Sequence, residues 1–278
     1  MSRRRRKDKQ AGYVHGEEQE VAAATAIGLP EDALADAVER HGAGDLDGAE
    51  AVYRQLLDVQ PAHPIARHYL GIVQFQRGEH AAAKESITQA LETAPDYADA
   101  HYNLGRVHQE TGDLESAIAC YRSAISFDAE SSESHSKLGL ALEESGNLSA
   151  ALDSYREALK LDHDDRDTLN NYGNLLRMLE RPEEAIEQFE RALRIDPGFF
   201  EAHHNLGNGY QDLHRFDDAV SSYRKALEID PEFEETQKNL GTCLLGCGMH
   251  REGLNYLQKS CGVIEFTGGE NPECRLLR

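Results

Sequence analysis

Thirteen histidines and five cysteines are the side chains of this sequence best suited to bind a metal or act as nucleophiles. Three of the histidines, His101, His135 and His203, fall at positions separated by 34 or 68 residues. A tetrahedral zinc ion needs its nitrogens within about 2.1 Å, whereas side chains on successive packed helices stand roughly 10 Å apart. One ion cannot gather these three, so packing is their expected role. Cys243 and Cys247 lie four apart, on one face of a predicted helix, and could meet a metal or an oxidant. With no second pair nearby, they read as small helix-packing residues. The run Asp162-His163-Asp164-Asp165 lacks the glycine at position six and the glutamate at position twelve of a calcium loop, which leaves a solvated loop. Gly42-Ala43-Gly44 has neither the spacing nor the preceding strand of a dinucleotide site. No nucleophile, base and orienting group can be assembled, so the sequence predicts no enzyme, no cofactor and no metal site.

Charge and composition narrow the remaining functions. The 278 residues carry 50 Asp and Glu against 29 Lys and Arg, a formal net charge of −21. Arg3 to Arg6, Lys7 and Lys9 lie in the first ten residues, opposed there by Asp8 alone, so the rest of the chain is more acidic still. Such a body repels the phosphates that supply most nucleic-acid affinity. Mean hydropathy is −0.62, and no apolar run is long enough to span a bilayer. The cysteines are odd in number and scattered, and the basic start runs into Gln10-Ala11-Gly12-Tyr13 without an apolar core, so a reducing cytoplasm is expected. The four arginines fit a nuclear signal, a tether to a polyanion or a membrane surface, or an inert soluble tail, and the tail is favoured.

The elements that organise these residues recur. Gly71, Gly105, Gly139, Gly173, Gly207 and Gly241 stand 34 residues apart, and Ala49, Ala83, Ala117, Ala151, Ala185 and Ala219 keep the same interval. A large residue follows each alanine by four positions, at Tyr53, Ile87, Tyr121, Tyr155, Phe189 and Tyr223. Pro61, Pro95, Pro197 and Pro231 close four of the units. Between Leu114 and Ile125 the apolar positions follow one helical stripe. Gly112-Asp113 supplies a left-handed turn and a cap, Asp45 and Asn147 repeat the capping signal, and Pro182 suits a first helical turn. Each unit is therefore expected to be a helical hairpin.

This pattern resembles the tetratricopeptide repeat, over about seven units. The resemblance implies an all-α, right-handed superhelical solenoid of 34-residue helix-turn-helix repeats. The sequence divides into a disordered basic tail at 1–18, a short apolar segment at 19–29, the repeats at 30–263 with the last degenerate and capping, and a C-terminal tail at 264–278. Within that tail, 267–272 reads as loop.

In the resembled family the first helix of each hairpin lines a concave groove that holds a partner's peptide or helix. One such position carries Asn103, Asn171, Asn205 and Asn239, with Lys137 and Tyr69 replacing asparagine in two repeats. This is similar to the asparagine ladder of O-GlcNAc transferase repeat arms, although asparagine is also the commonest residue there in the family. Acids lie four residues earlier, among them Asp167 and Glu201, where relatives that clamp acidic C-termini need a base. The groove is thus expected to take a neutral or basic protein partner. Tyr69, Ile72 and Phe75 put an apolar patch on the groove line of repeat two, to be covered by residues 21–29 or by a partner's anchor. The expected function is a non-catalytic interaction scaffold. The alternative is an accessory subunit presenting substrates to a separate glycosyltransferase or methyltransferase.

Overall fold

The computed structural model describes residues 31–261, 263–266 and 274–277. The tail at 1–18 and the segment at 19–29 lie outside the described residues. The chain forms two compact units, divided between Glu130 and Ser131. The first contains three helical hairpins: α1 (Glu31–Gly42) with α2 (Leu46–Val59), α3 (Pro64–Gln76) with α4 (His80–Thr93), and α5 (Ala98–Glu110) with α6 (Leu114–Phe127). The second contains four: α7 (Ser132–Glu144) with α8 (Leu148–Leu161), α9 (Arg166–Met178) with α10 (Pro182–Ile195), α11 (Phe200–Asp212) with α12 (Phe216–Ile229), and α13 (Glu234–Gly246) with α14 (His250–Cys261). Within each unit the second helix of a hairpin packs on the first helix of the next, and successive first helices also touch.

Local chemistry starts and stops these helices where the sequence pattern places them. The carboxylates of Asp45 and Asp113 accept from the N–H groups of Gly48 and Ser116, and the Asn147 amide oxygen accepts from Ala150. Pro182 opens α10, where a missing N–H costs nothing. The hairpin turns use the left-handed region: Gly112 has φ of 80°, and its equivalents in two later repeats are Glu180 and His214, at 58° and 56°. Those two side chains occupy a conformation that normally favours glycine.

The recurrent glycine is a contact surface. A methyl group on Gly105 or Gly207 would meet the ring of Tyr121 or Tyr223 at 2.7 and 2.5 Å, inside any tolerable separation. Each ring lies against the opposite helix, and its hydroxyl donates to a side chain one turn further along: Tyr121 to Gln109, Tyr155 to Glu143 and Tyr223 to Gln211. The recurrent alanines Ala49, Ala83, Ala117, Ala151, Ala185 and Ala219 have no exposed surface. The last repeat keeps this logic with smaller parts, as Leu257 lies on Gly241 and a methyl on Gly253 would strike the Gly241 carbonyl.

Two expectations change. The C-terminal tail contains a short antiparallel pair, β1 (Val263–Phe266) and β2 (Cys274–Leu277), with Val263 opposite Leu277 and Phe266 opposite Cys274. Two short apolar runs separated by Gly268-Gly269 and Asn271-Pro272 carry the ordinary hairpin signal. The apolar patch on α3 is also no open surface. Tyr69 and Ile72 are buried in one cluster with Leu34 and Ala37 of α1 and Tyr53 of α2. Tyr69 stacks on Tyr53 with ring centroids 5.7 Å apart, and His41 meets both rings edge-on. Tyr69 and Ile72 are therefore core shared with repeat one, while Phe75 is half-buried against the cluster of α4 and α5; residues 21–29 lie outside the described residues.

The first unit also buries histidines in roles that need a neutral ring. Nδ1 of His63 accepts from the Ala66 N–H as the cap of α3. His68 lies between the Tyr97 hydroxyl at 2.9 Å and the Asn103 amide at 3.0 Å. Burial lowers the pKa of His41 and His63, and pushes that of His68 down to about 3. An unfolded histidine titrates near 6.5, so the folded state binds fewer protons below that pH. Their contribution is complete above about pH 6.5 and declines as pH falls toward each folded value.

Three outcomes follow from this packing. Gly207→Ala should destabilise the protein by about 1–3 kcal/mol through overpacking, whereas Gly42→Ala, with open space at its Cβ position, should not; equal melting temperatures would refute the ring contact. Ala151→Leu should cost about 1–3 kcal/mol for the same reason, and an unchanged melting temperature would place Ala151 outside the helix crossing. His68→Gln should reduce the stability lost between pH 7 and pH 5 in denaturant titrations; an identical loss in wild type and variant would contradict a neutral buried His68.

Candidate partner-binding face

In the second unit the first helices α7, α9, α11 and α13 follow one another and carry Lys137, Asn171, Asn205 and Asn239 at equivalent half-buried positions. The amides are not identical in use. Asn205 donates its Nδ2 hydrogen to Asn170 Oδ1 at 2.9 Å, and Asn239 donates to Asn208 Oδ1 at 3.1 Å. Asn208 Oδ1 also accepts the Tyr223 hydroxyl at 2.6 Å. The amino ends of Asn205 and Asn239 are thus tied to the preceding repeat. That orientation leaves their carbonyl oxygens as acceptors for an N–H from outside. The supporting Asn170 and Asn208 escape a reading of one repeated position because each belongs to a different one.

One turn earlier on these helices stand Glu133, Asp167, Glu201 and Glu235, all exposed. Desolvation by its surroundings raises the pKa of the Asp167 carboxyl, and the charges of Asp165 and Glu201 push it further up. Arg166 and Lys137 oppose that rise. Asp167 therefore senses Lys137 and Glu201, on the first helices before and after its own. Glu235 lies 4.0 Å from His204 Nε2, whose ring burial keeps neutral by lowering its pKa. Further along, Arg177 of α9 pairs with Asp212 of α11 at 2.7 Å.

The first unit differs. Asn103 is buried, its Nδ2 shared between His68 Nε2 and the Asp99 carbonyl, both at 3.0 Å, while its Oδ1 accepts from Arg106 at 3.1 Å. The whole amide is engaged inside the unit. Tyr69 and Ile72 belong to the core described above, and half-buried Phe75 lies beneath the Arg106 guanidinium at 5.0 Å. The residue below Asn103 is His68, and the sequence does not reveal that a neutral ring there would consume the asparagine.

The other reactive side chains are accounted for by packing. Nε2 of His101 and of His203 donates to the carbonyls of Pro95 and Pro197, closing their own repeats. Burial pushes the thiols of Cys120 and Cys243 up to about 11, and Cys247 is also raised, by burial and by Asp217. All three are held as thiols rather than nucleophilic thiolates at neutral pH. Among the described residues no group of three His, Cys, Asp or Glu side chains is arranged to hold a metal, and no helix is long and apolar enough to cross a membrane.

Models of the tetratricopeptide repeat match residues 34–85 and 136–198, 74–140, and 200–233. No curated protein matches the sequence. Among solved structures, Pseudomonas aeruginosa pilF is similar with a TM-score of 0.64 and 22% identity over 71% of this chain and 91% of that one. YrrB, described as a tetratricopeptide protein with an unusual peptide-binding site, gives 0.55 and 23% over 64% and 91%. A structure of the anaphase-promoting complex hetero-tetramer Cut9-Hcn1 gives 0.67 and 16% over 92% of this chain and 55% of that one. Together, the repeat matches along the sequence and the stacked hairpins they cover establish that the chain belongs to the tetratricopeptide repeat family.

Proposed function

We propose that this protein is a non-catalytic interaction scaffold, and that the first-helix face of the second unit receives a neutral or basic peptide or helix from a partner. The observation that carries this reading is the alignment of two kinds of acceptor on successive helices. Asn205 and Asn239 present amide oxygens, and Asp167, Glu201 and Glu235 present carboxylates one turn away. A peptide backbone supplies N–H groups to the first, and lysine or arginine side chains supply charge to the second. The raised pKa of Asp167 supports the reading, because it comes first from desolvation and then from the charges of Asp165 and Glu201, and a cation seated beside the carboxylate would offset both. Lys137 limits the acidic row at one end and favours a partner whose positive charge lies toward α11 and α13. The description of YrrB as peptide-binding supports a peptide as ligand.

Selection from a random peptide library on the full chain should enrich Lys and Arg over Asp and Glu; enrichment of acidic peptides would overturn the charge assignment. For a selected basic peptide, Asp167→Asn and Glu201→Gln should each weaken binding about 1.5- to 5-fold, the range of exposed ion pairs, and 0.5 M salt should weaken it further. Affinity should also fall as pH drops through the raised Asp167 value, starting above the usual carboxylate range, because only the ionised form attracts the peptide. Affinity indifferent to substitution, salt and pH would move the site elsewhere.

A further inference from the structure

An extended peptide and a helix offer different hydrogen-bonding groups to the first-helix face of the second unit. In a helix the backbone N–H and C=O groups bond one another, and only the terminal turns keep free ones. In an extended chain each residue turns its own N–H and C=O to the same side.

On α11, Asn205 and Asn208 stand one turn apart, where side chains are neighbours at about 5–6 Å between Cβ atoms. Their amides are committed in opposite senses. Asn205 gives its amino group to Asn170 Oδ1 at 2.9 Å, which leaves its oxygen as the open end. Asn208 does the reverse: its oxygen accepts the Tyr223 hydroxyl at 2.6 Å and Asn239 Nδ2 at 3.1 Å, which leaves its amino group open. Both open ends reach solvent and have no hydrogen-bond partner among the described residues.

Packing does not require the bond from Tyr223 to Asn208. Earlier repeats do without an acceptor there: Arg106 and Leu140 hold the corresponding positions, and the hydroxyls of Tyr121 and Tyr155 donate to Gln109 and Glu143. Tyr223 has the matching acceptor in Gln211 at 2.9 Å, and its single hydroxyl hydrogen serves one acceptor at a time. The Asn208 oxygen is therefore surplus to the ring. What it adds is a fixed orientation, for its own amide and for Asn239. The neighbouring α9 marks the contrast. It carries half-buried Asn171 and Asn174 at the same two positions, but no hydrogen bond among the described residues holds either amide, so each can turn either end outward.

We infer that Asn205 and Asn208 form a preset acceptor–donor pair that takes the N–H and the C=O of one residue of an extended partner segment, so that this face selects an extended peptide over a helix. The inference rests on the peptide-binding reading proposed above. The acidic row cannot make that choice, because lysines on a helix satisfy it as well as lysines on an extended chain.

The test uses the full chain and a basic peptide selected on it. Asn208→Asp keeps an oxygen for Tyr223 and Asn239 but turns the open amino group into a carboxylate oxygen. Added negative charge alone should tighten a basic peptide, whereas a carboxylate facing a backbone C=O should weaken it, by about 2- to 10-fold, the range of one hydrogen bond. Asn205→Ala should weaken it by a similar factor. On the peptide side, single amide-to-ester replacements should locate one residue whose N–H matters, and the ester one position later, which weakens the same residue's C=O, should matter too. Asn205→Ala should abolish the first sensitivity and Asn208→Asp the second. Locking the peptide as a helix with a lactam between positions i and i+4 should weaken binding about tenfold or more. Binding that Asn208→Asp tightens or leaves unchanged, or a locked helix that binds as well as the free peptide, would overturn the pair while leaving the acidic face in place. Absence of exchange protection in 200–212 would overturn the underlying reading and the pair with it. The ester and lactam series need only wild-type protein, so they decide the matter even where a variant fails to fold.

Discussion

In six of the seven repeats a large side chain lies directly on a glycine of the facing helix, from Ile87 on Gly71 to Leu257 on Gly241. That contact sets how closely the two helices of a hairpin approach, and the rest of the architecture depends on it. With the glycine face committed inward, the residues one and two positions around the first helix turn toward neighbouring repeats. The first repeat shows the tolerance of the rule: Ala37 replaces glycine, and Tyr53 is still fully buried, stacked on Tyr69 instead. A solenoid made this way has thin layers, and its stability comes from each hairpin covering its neighbour.

The same depth of packing explains which parts of the molecule can be read from sequence. Positions that repeat in register, such as Gly105 with Tyr121 or the cap at Asp113, state their role several times over, and the hairpins follow from them. Departures from the pattern carry no such support. Tyr69 and Ile72 look like a groove patch when α3 is viewed alone, because nothing in the spacing tells how far α1 reaches over it. Asn103 matches Asn205 in position but not in use, since His68 beneath it takes an amide hydrogen that Asn205 gives to Asn170. The strands β1 and β2 had a local signal, masked by a repeat that fades before them. Glu180 and His214 hold a left-handed turn without glycine, which no turn preference would select.

The electrostatics divide along the same lines. The buried histidines and thiol are kept neutral: His68 and His204 are held below their ordinary range, and the Cys243 thiol above its own. They are structural and offer no proton or nucleophile for chemistry. On the first helices of the second unit, exposed Asp167 stands close enough to Asp165 and Glu201 for their charges to add to the rise that burial gives its pKa. Keeping mutually repelling carboxylates on a surface costs stability. That cost is consistent with a face built to attract a cationic partner.

Hydrogen–deuterium exchange of the full chain with and without a selected basic peptide tests this most directly. The account predicts slower exchange in residues 166–178, 200–212 and 234–246, the first helices that carry the asparagine oxygens and carboxylates, with little change in 182–195 and 216–229. Protection confined to those second helices, or no protection in the second unit at all, would contradict it.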